Sequence, residues 1–260
     1  MQMDFDVVIV GLGPTGGTLA NLLAINNLSI LILEKEGSLY NLPRAVHFDD
    51  EVMRVFQTIG ISDSLSKKLI INKGTKFLDE NGKLLLDWPR PKIITENGWY
   101  PSYRFHQPDL ERSLRYKLKK FDKVVSLQNC EVFKTVNKKN FTEVHYKNTK
   151  INKINSVKSK YIIGCDGANS FLRKQIKSEM EHLGFEQRWA VIDLILKTKK
   201  TNLPDRTIQY CNSKRPATYC RNVGKRRRWE IALKEEESVE QFFDSKALWK
   251  FLSQWVSQDE

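Results

Sequence analysis

One stretch near the start, Phe5 to Lys35, constrains the fold more than any other. Phe5-Asp6-Val7-Val8-Ile9-Val10 is a short apolar run rich in β-branched residues, and it predicts a strand buried on both faces. Gly11-Leu12-Gly13-Pro14-Thr15-Gly16 follows at once, with Gly17 behind it. Thr18 to Asn27 then carries Leu19, Leu22, Leu23 and Ile25 in a helical pattern. Ser29 to Leu33 predicts a second buried strand, with Glu34 and Lys35 at its end.

Each residue type in that stretch has a physical task. Gly11 permits a tight strand-to-helix turn, Gly13 lets the backbone approach a pyrophosphate, and Gly16 lets the helix pack close to the strand. Pro14 suits the first helical turn, where its missing N–H would have no intrahelical partner. The helix start, around Thr15, offers free N–H groups and a partial positive charge to phosphate. Glu34, placed beyond the second strand, is positioned to accept from a ribose hydroxyl. A dinucleotide site follows, with NAD and FAD both open at this point.

Length and composition narrow the class. A chain of 260 residues with 40% apolar content and a mean hydropathy of -0.48 reads as a globular protein. No run approaches the roughly 20 apolar residues of a membrane span. Asp4 and Asp6 precede a short apolar run, unlike a secretory leader. Cys130, Cys165, Cys211 and Cys220 form no C-x-x-C pair, so a reducing, cytoplasmic setting is expected. The charge of +12 is scattered over lysines, apart from Lys225-Arg226-Arg227-Arg228. No nucleic-acid-binding motif accompanies it, and neither nucleic acid nor membrane is expected as a partner. His47, His106, His145 and His182 are too dispersed to suggest a metal site.

Further along, Asp49-Asp50-Glu51 opens a helix with Val52, Val55, Phe56 and Ile59 as its apolar stripe and Gly60 as its stop. Thr75 to Trp88 reads as a hairpin around Asn81-Gly82. Pro89, Pro91 and Pro101 punctuate an irregular segment, and Asp109 to Lys119 forms a helix with Leu110, Leu114 and Leu118. Val124 to Leu127, Cys130 to Val136 and Phe141 to Tyr146 alternate as a half-exposed antiparallel meander would. Lys160 to Gly164 is another buried strand, followed by a helix from Ser170. Trp189 to Leu196, Thr207 to Cys211, Thr218 to Asn222 and Trp229 to Leu233 read as an antiparallel sheet, and Ser238 to Val256 as one amphipathic helix.

Three segments together resemble the flavin-dependent aromatic hydroxylases of the p-hydroxybenzoate hydroxylase fold. They are Gly11 to Gly16 with Glu34, Pro43-Arg44-Ala45 with Tyr103 to Glu111, and Gly164-Cys165-Asp166-Gly167-Ala168-Asn169-Ser170-Phe171-Leu172-Arg173. Within that family, Pro43-Arg44-Ala45 with Asp49-Asp50-Glu51, and Arg226 to Glu230, are most similar to 3-(3-hydroxyphenyl)propionate hydroxylases. The resemblance implies an α/β fold: a Rossmann-like FAD-binding domain with a parallel sheet and a β-meander insertion, plus a β-rich substrate domain. The corresponding ranges are 1–74 and 102–180 for the FAD-binding domain, 75–101 for a substrate-domain hairpin and 181–260 for the substrate domain.

By the same resemblance, Arg44 and Gln107 hold the flavin's phosphate and ribityl region, and Asp166 sits behind the pyrophosphate. The cofactor set is FAD, with NADH or NADPH as reductant, and the substrates are O2 and a phenolic acid hydroxylated beside its hydroxyl group. Family members are longer and carry a later Gly-Asp motif that does not occur in this chain. A C-terminal truncation is therefore expected, with a complementary C-terminal chain or a second copy as candidate partner and no hydroxylation by this chain alone. Where some phenol-oxidising relatives place an activating acid, this chain has Val46 and His47, and no catalytic base is assigned. Two alternatives stay open: a remnant that only binds nucleotide, and a plain NAD(P)-dependent dehydrogenase, which would leave Arg44 and Asp166-Gly167 unexplained.

Overall fold

The β-branched run Phe5–Val10 lies inside a six-stranded sheet, between Ile30–Leu33 and Lys153–Gly164, with parallel pairing on both sides. The computed structural model describes residues 3–176, 178–198 and 201–259. Val124–Leu127 adds a further parallel strand at one edge, while Thr142–Asn148 and Cys130–Asn137 continue antiparallel at the other. Side chains alternate between two cores, as strands covered on both faces require. Val8, Val10, Leu31 and Leu33 pack with Val132, Val144 and Tyr146, while Val7, Ile9, Ile30 and Ile32 pack with Leu12, Ala20, Ala24 and Leu118.

The chain divides into two compact units, Met1–Arg44 with Val55–Lys67 and Gln107–Glu181, and Ala45–Arg54 with Lys68–His106 and His182–Glu260. The sheet just described belongs to the first. Residues 45–54, 68–74 and 102–106 lie in the second unit, where strand His47–Asp49 pairs with Ser102–Arg104. The architecture is thus α/β with several sheets, as expected.

Three local expectations need correction. Val124–Leu127 is no part of the antiparallel meander, since Lys123 and Leu127 carbonyls accept from Ile30 and Glu34 and the strand runs parallel to its neighbour. The third meander strand is Lys153–Gly164 itself, whose N-terminal half pairs antiparallel with Thr142–Asn148. Helix Pro14–Ala24 starts at the expected proline but ends before Asn27, and it buries small residues, Gly17, Ala20 and Asn21, allowing close approach to helix Gln107–Leu118. Asn21 fastens that contact through its Nδ2, which donates to the Leu114 carbonyl at 3.2 Å. In helix Asp50–Thr58, Met53 and Phe56 are buried while Val52 is exposed.

The second unit is built on another six-stranded sheet. Its order is Trp189–Ile195, Arg226–Ala232, Ala217–Arg221, Thr207–Tyr210, Gly74–Leu78 and Leu84–Pro89. All neighbours are antiparallel except Thr207–Tyr210 with Gly74–Leu78. The last two strands form the expected hairpin, with Gly82 at a φ of 80° and the Asp79 carboxylate accepting from the Asn81 and Lys83 N–H groups. Edge strand Leu84–Pro89 exposes Leu84, Leu85, Leu86 and Trp88. A small sheet of His47–Asp49, Ser102–Arg104 and Ile70–Ile71 completes the unit.

The core of this unit gathers Ile208, Tyr219, Trp229, Ile231, Leu252 and Val256, with the Tyr219 and Trp229 rings 5.0 Å apart. The single helix expected over Ser238 to Val256 is instead a 3-10 turn, Val239–Phe242, and an α-helix, Ser245–Leu252. Asp244 divides them: its extended backbone and its carboxylate, which accepts from the Ala247 N–H at 2.9 Å, start a new helix. Trp229 is fully buried, so Trp229→Ala should cost about 3–5 kcal/mol. Urea unfolding followed by circular dichroism should show a lowered midpoint.

Candidate functional site

The site is assembled at the carboxyl end of Phe5–Val10. Gly11 turns the chain with a φ of 100°, and its N–H donates to the Leu33 carbonyl at 2.8 Å. A Cβ on Gly11 would stand 2.3 Å from the Cys165 carbonyl oxygen, and one on Gly16 would stand 2.0 Å from the Gly11 carbonyl oxygen. Only glycine fits at these two positions. Gly13 differs, because its φ of -75° is ordinary and a Cβ there meets nothing within 4 Å. The open space beside Gly13 lies at the N-terminus of helix Pro14–Ala24, which has no side-chain cap. Thr15 is exposed in its first turn. Such a helix start presents unpaired N–H groups and a positive partial charge, the donor set a phosphate needs.

A relay of polar contacts runs through this loop. Glu34 is buried, and its Oε2 accepts from the Leu12 N–H at 2.6 Å while its Oε1 accepts from the Glu36 N–H at 2.9 Å. On the other side of Leu12, the carbonyl accepts from Arg115 Nη2 at 3.0 Å. Arg115 pairs with Glu111 at 3.6 Å, and Glu111 Oε1 accepts from Gln107 Nε2 at 2.8 Å. Gln107 Oε1 in turn accepts from the Arg44 N–H at 2.8 Å. Gln107, Glu111 and Arg115 are four residues apart on helix Gln107–Leu118, so they share one face.

The structure therefore brings Gly11, Gly13, Pro14, Thr15, Gly16, Glu34, Arg44 and Gln107 into one connected constellation. Arg44 is exposed, with its guanidinium 5.1 Å from the centre of the Tyr40 ring. Lys35 points into solvent and lies 3.9 Å from Glu36. Asp166 follows Cys165, on which Gly11 and Gly16 pack, and both its oxygens are engaged. Oδ1 accepts from the Ser170 hydroxyl at 2.6 Å and Oδ2 from the Leu172 N–H at 3.1 Å, which fixes the turn into helix Phe171–Gln175. Glu111 and Arg115 were not anticipated as site residues. Their signal was present in the four-residue spacing from Gln107, masked by the neighbouring Leu110-Leu114-Leu118 stripe.

These donors fit a dinucleotide. Backbone N–H groups and an open glycine suit the diphosphate, Arg44 adds a cation charged at any working pH, and Glu34 keeps unused acceptor capacity after its two backbone bonds. The fold and the loop define a Rossmann-like dinucleotide-binding protein. A family model described as FAD binding domain matches residues 4–256, and the chain belongs to that family. The "Probable NADH-specific resorcinol 4-hydroxylase" of Rhodococcus jostii (strain RHA1) is 30% identical over 98% of this chain and 48% of its own length. The "3-(3-hydroxy-phenyl)propionate/3-hydroxycinnamic acid hydroxylase" of Mycolicibacterium gilvum (strain PYR-GCK) is 32% identical over 74% of this chain and 33% of its own. The chain thus spans half or less of the length of these curated relatives. Among solved structures, p-nitrophenol 4-monooxygenase from Pseudomonas putida DLL-E4 superposes with a TM-score of 0.85 at 16% identity, over 100% of this chain and 65% of that one. That likeness is one of fold.

Two substitutions test the site. Gly13→Val should leave the melting temperature and circular dichroism unchanged, because the position is open, yet abolish FAD binding by filling the phosphate space. Glu34→Gln should weaken FAD by about 1–2 kcal/mol, the difference between a charged and a neutral acceptor. Quenching of flavin fluorescence on titration reads both, and an unchanged dissociation constant would leave Glu34 as a loop anchor only.

Proposed function

We propose that this chain binds FAD and a phenolic substrate as part of an NAD(P)H-consuming aromatic-ring monooxygenase. The observation that carries the reading is the relay from Glu34 through Leu12, Arg115, Glu111 and Gln107 to Arg44, which joins both ends of a dinucleotide cradle. FAD, when bound, supplies hydride acceptance and oxygen activation. The N–H groups at the start of helix Pro14–Ala24 hold the diphosphate, and Glu34 accepts from the adenosine ribose. Arg44 neutralises phosphate charge, and Gln107, which holds the Arg44 backbone, offers an uncharged amide beside the ribityl chain. Asp166 acts behind the diphosphate by fixing the turn against which Gly11 packs. The sheet containing Trp189–Ile195 and Arg226–Ala232 supplies the ring-binding surface. Support for the substrate class, a phenol such as 3-(3-hydroxyphenyl)propionate, comes from the names of the relatives and from the resemblance of Pro43-Arg44-Ala45 and Arg226 to Glu230.

The chain spans half or less of these relatives' length, and in a second reading its residues supply nucleotide and substrate contacts without sustaining hydroxylation by themselves. One experiment separates the two. The purified chain is given FAD, NADH or NADPH, and 3-(3-hydroxyphenyl)propionate or resorcinol, and the products are resolved by chromatography. A hydroxylated ring supports the first reading. Nicotinamide oxidation that yields only hydrogen peroxide supports the second, and failure to bind FAD overturns both.

A further inference from the structure

The second unit holds a surplus of positive charge at one place. Arg104, at the end of strand Ser102–Arg104, is only 5% exposed. Its Nη2 donates to the Thr207 hydroxyl, and among the described residues no carboxylate comes within 4 Å of it. A buried guanidinium without a counter-charge is costly unless something anionic completes it. Arg90 is a second cation in the same electrostatic neighbourhood, and its guanidinium lies 4.8 Å from the Trp88 ring centre, again without a carboxylate within 4 Å among the described residues. His47 is the cross-strand partner of Arg104, so the two side chains project from the same face, and His47 is exposed.

The surrounding acids are already engaged. Asp205 pairs with Lys73 and with Arg221 Nε at 3.1 Å. Asp193 makes a two-point contact with Arg228, 2.9 Å at both oxygens, and Glu230 lies 3.7 Å from the same guanidinium. Asp49 accepts from the Val52 N–H at the start of its helix. Burial pushes the Arg104 proton affinity down, with Glu230 opposing from beyond pairing distance. Burial pushes the Cys220 thiol up to about 11, so it adds no negative charge near neutral pH. Desolvation on the side of His47 that faces the protein, with Arg104 and Arg90 behind it and Asp49 opposing, holds its imidazole below the usual range and favours the neutral form, whose N–H can still donate.

We propose that Arg104, Arg90 and His47 form a binding site for the carboxylate of an aromatic acid, reached past His47. Two guanidinium forks match the oxygens of a carboxylate, and a neutral imidazole adds a donor without adding charge. Arg104 is itself withdrawn from water, a setting in which a charge-assisted hydrogen bond gains strength. The aromatic-acid ligand rests on the function proposed above, whereas the surplus charge does not. A ligand carrying a carboxylate, such as a hydroxyphenylpropionate, would be selected over a neutral phenol such as resorcinol.

The test is calorimetric titration of the full chain with 3-(3-hydroxyphenyl)propionate and with 3-(3-hydroxyphenyl)propan-1-ol, its neutral counterpart. The acid should bind about tenfold tighter or better, and that preference should fall below about threefold in Arg104→Gln and shrink in Arg90→Gln. Equal affinities in the wild-type chain, or a preference that survives in both variants, would overturn the proposal. If Arg104→Gln does not fold, Arg90→Gln and the wild-type comparison decide it. Inorganic phosphate, and NADPH against NADH, serve as further probes. Phosphate competing as well as the acid, or an NADPH preference lost in Arg104→Gln, would assign the site to a nucleotide phosphate and overturn the proposal. FAD binding is measured alongside: binding of FAD but of neither phenol overturns this site alone, and an acid preference without FAD binding overturns the cofactor reading alone.

Discussion

The first unit depends on one close approach, that of Gly11 to the Cys165 carbonyl. Two parallel strands, Phe5–Val10 and Lys153–Gly164, end side by side, and the Cys165 N–H donates to the Val10 carbonyl at 2.8 Å. The chain leaving Phe5–Val10 must turn into a helix in the space directly beside that strand end. A side chain at Gly11 would collide with backbone, which has no rotamer to change. The same tightness repeats one turn later, where Gly16 packs on the Gly11 carbonyl. Helix Pro14–Ala24 therefore starts at the carboxyl edge of the sheet, where parallel α/β folds bind their ligands.

Polar pairing then separates the two units in character. In the first, buried charge is matched residue by residue: Glu34 on backbone N–H groups, Glu111 on Arg115 and Gln107. In the second, Arg228 is matched by Asp193 and Glu230, and Arg215 by Glu237 at 2.5 Å, which holds the Glu237 carboxyl down at about 2. Arg104 is met by a hydroxyl and Arg227 by the Gly224 and Arg226 carbonyls, with no carboxylate within 4 Å of either among the described residues. The formal charge of +12 gave no hint of this distinction, because exposed lysines dominate the count.

Period and turn chemistry made the parallel core legible from residues alone. Strands Phe5–Val10 and Ile30–Leu33, the hairpin at Gly82 and the helix bearing Leu110 and Leu114 follow from local pattern. Val124–Leu127 did not, because four residues of alternating character fit a parallel edge as well as a meander. The break at Asp244 was hidden by aromatic residues on both sides that extend a helical stripe through it. Of the site, the glycine loop and Glu34 were readable by spacing, and Arg44, Gln107 and Asp166 by resemblance. The roles of Arg115 and Arg104 required three dimensions, since Leu12 and Thr207, their partners, each lie 103 positions away in sequence, and His47 meets Arg104 only through strand register.

The bond between Gln107 and Arg44 has a consequence for how such a site can be altered. Gln107 grips the main-chain N–H of Arg44, an atom distinct from the guanidinium that carries the charge. The course of the loop and the charge it carries are therefore set by separate atoms. Exchanging the residue at position 44 changes what is offered to a ligand, while the amide that anchors the backbone is common to every residue except proline. The loop behaves as an interchangeable mount, and cofactor affinity can be tuned there without rebuilding the scaffold beneath it.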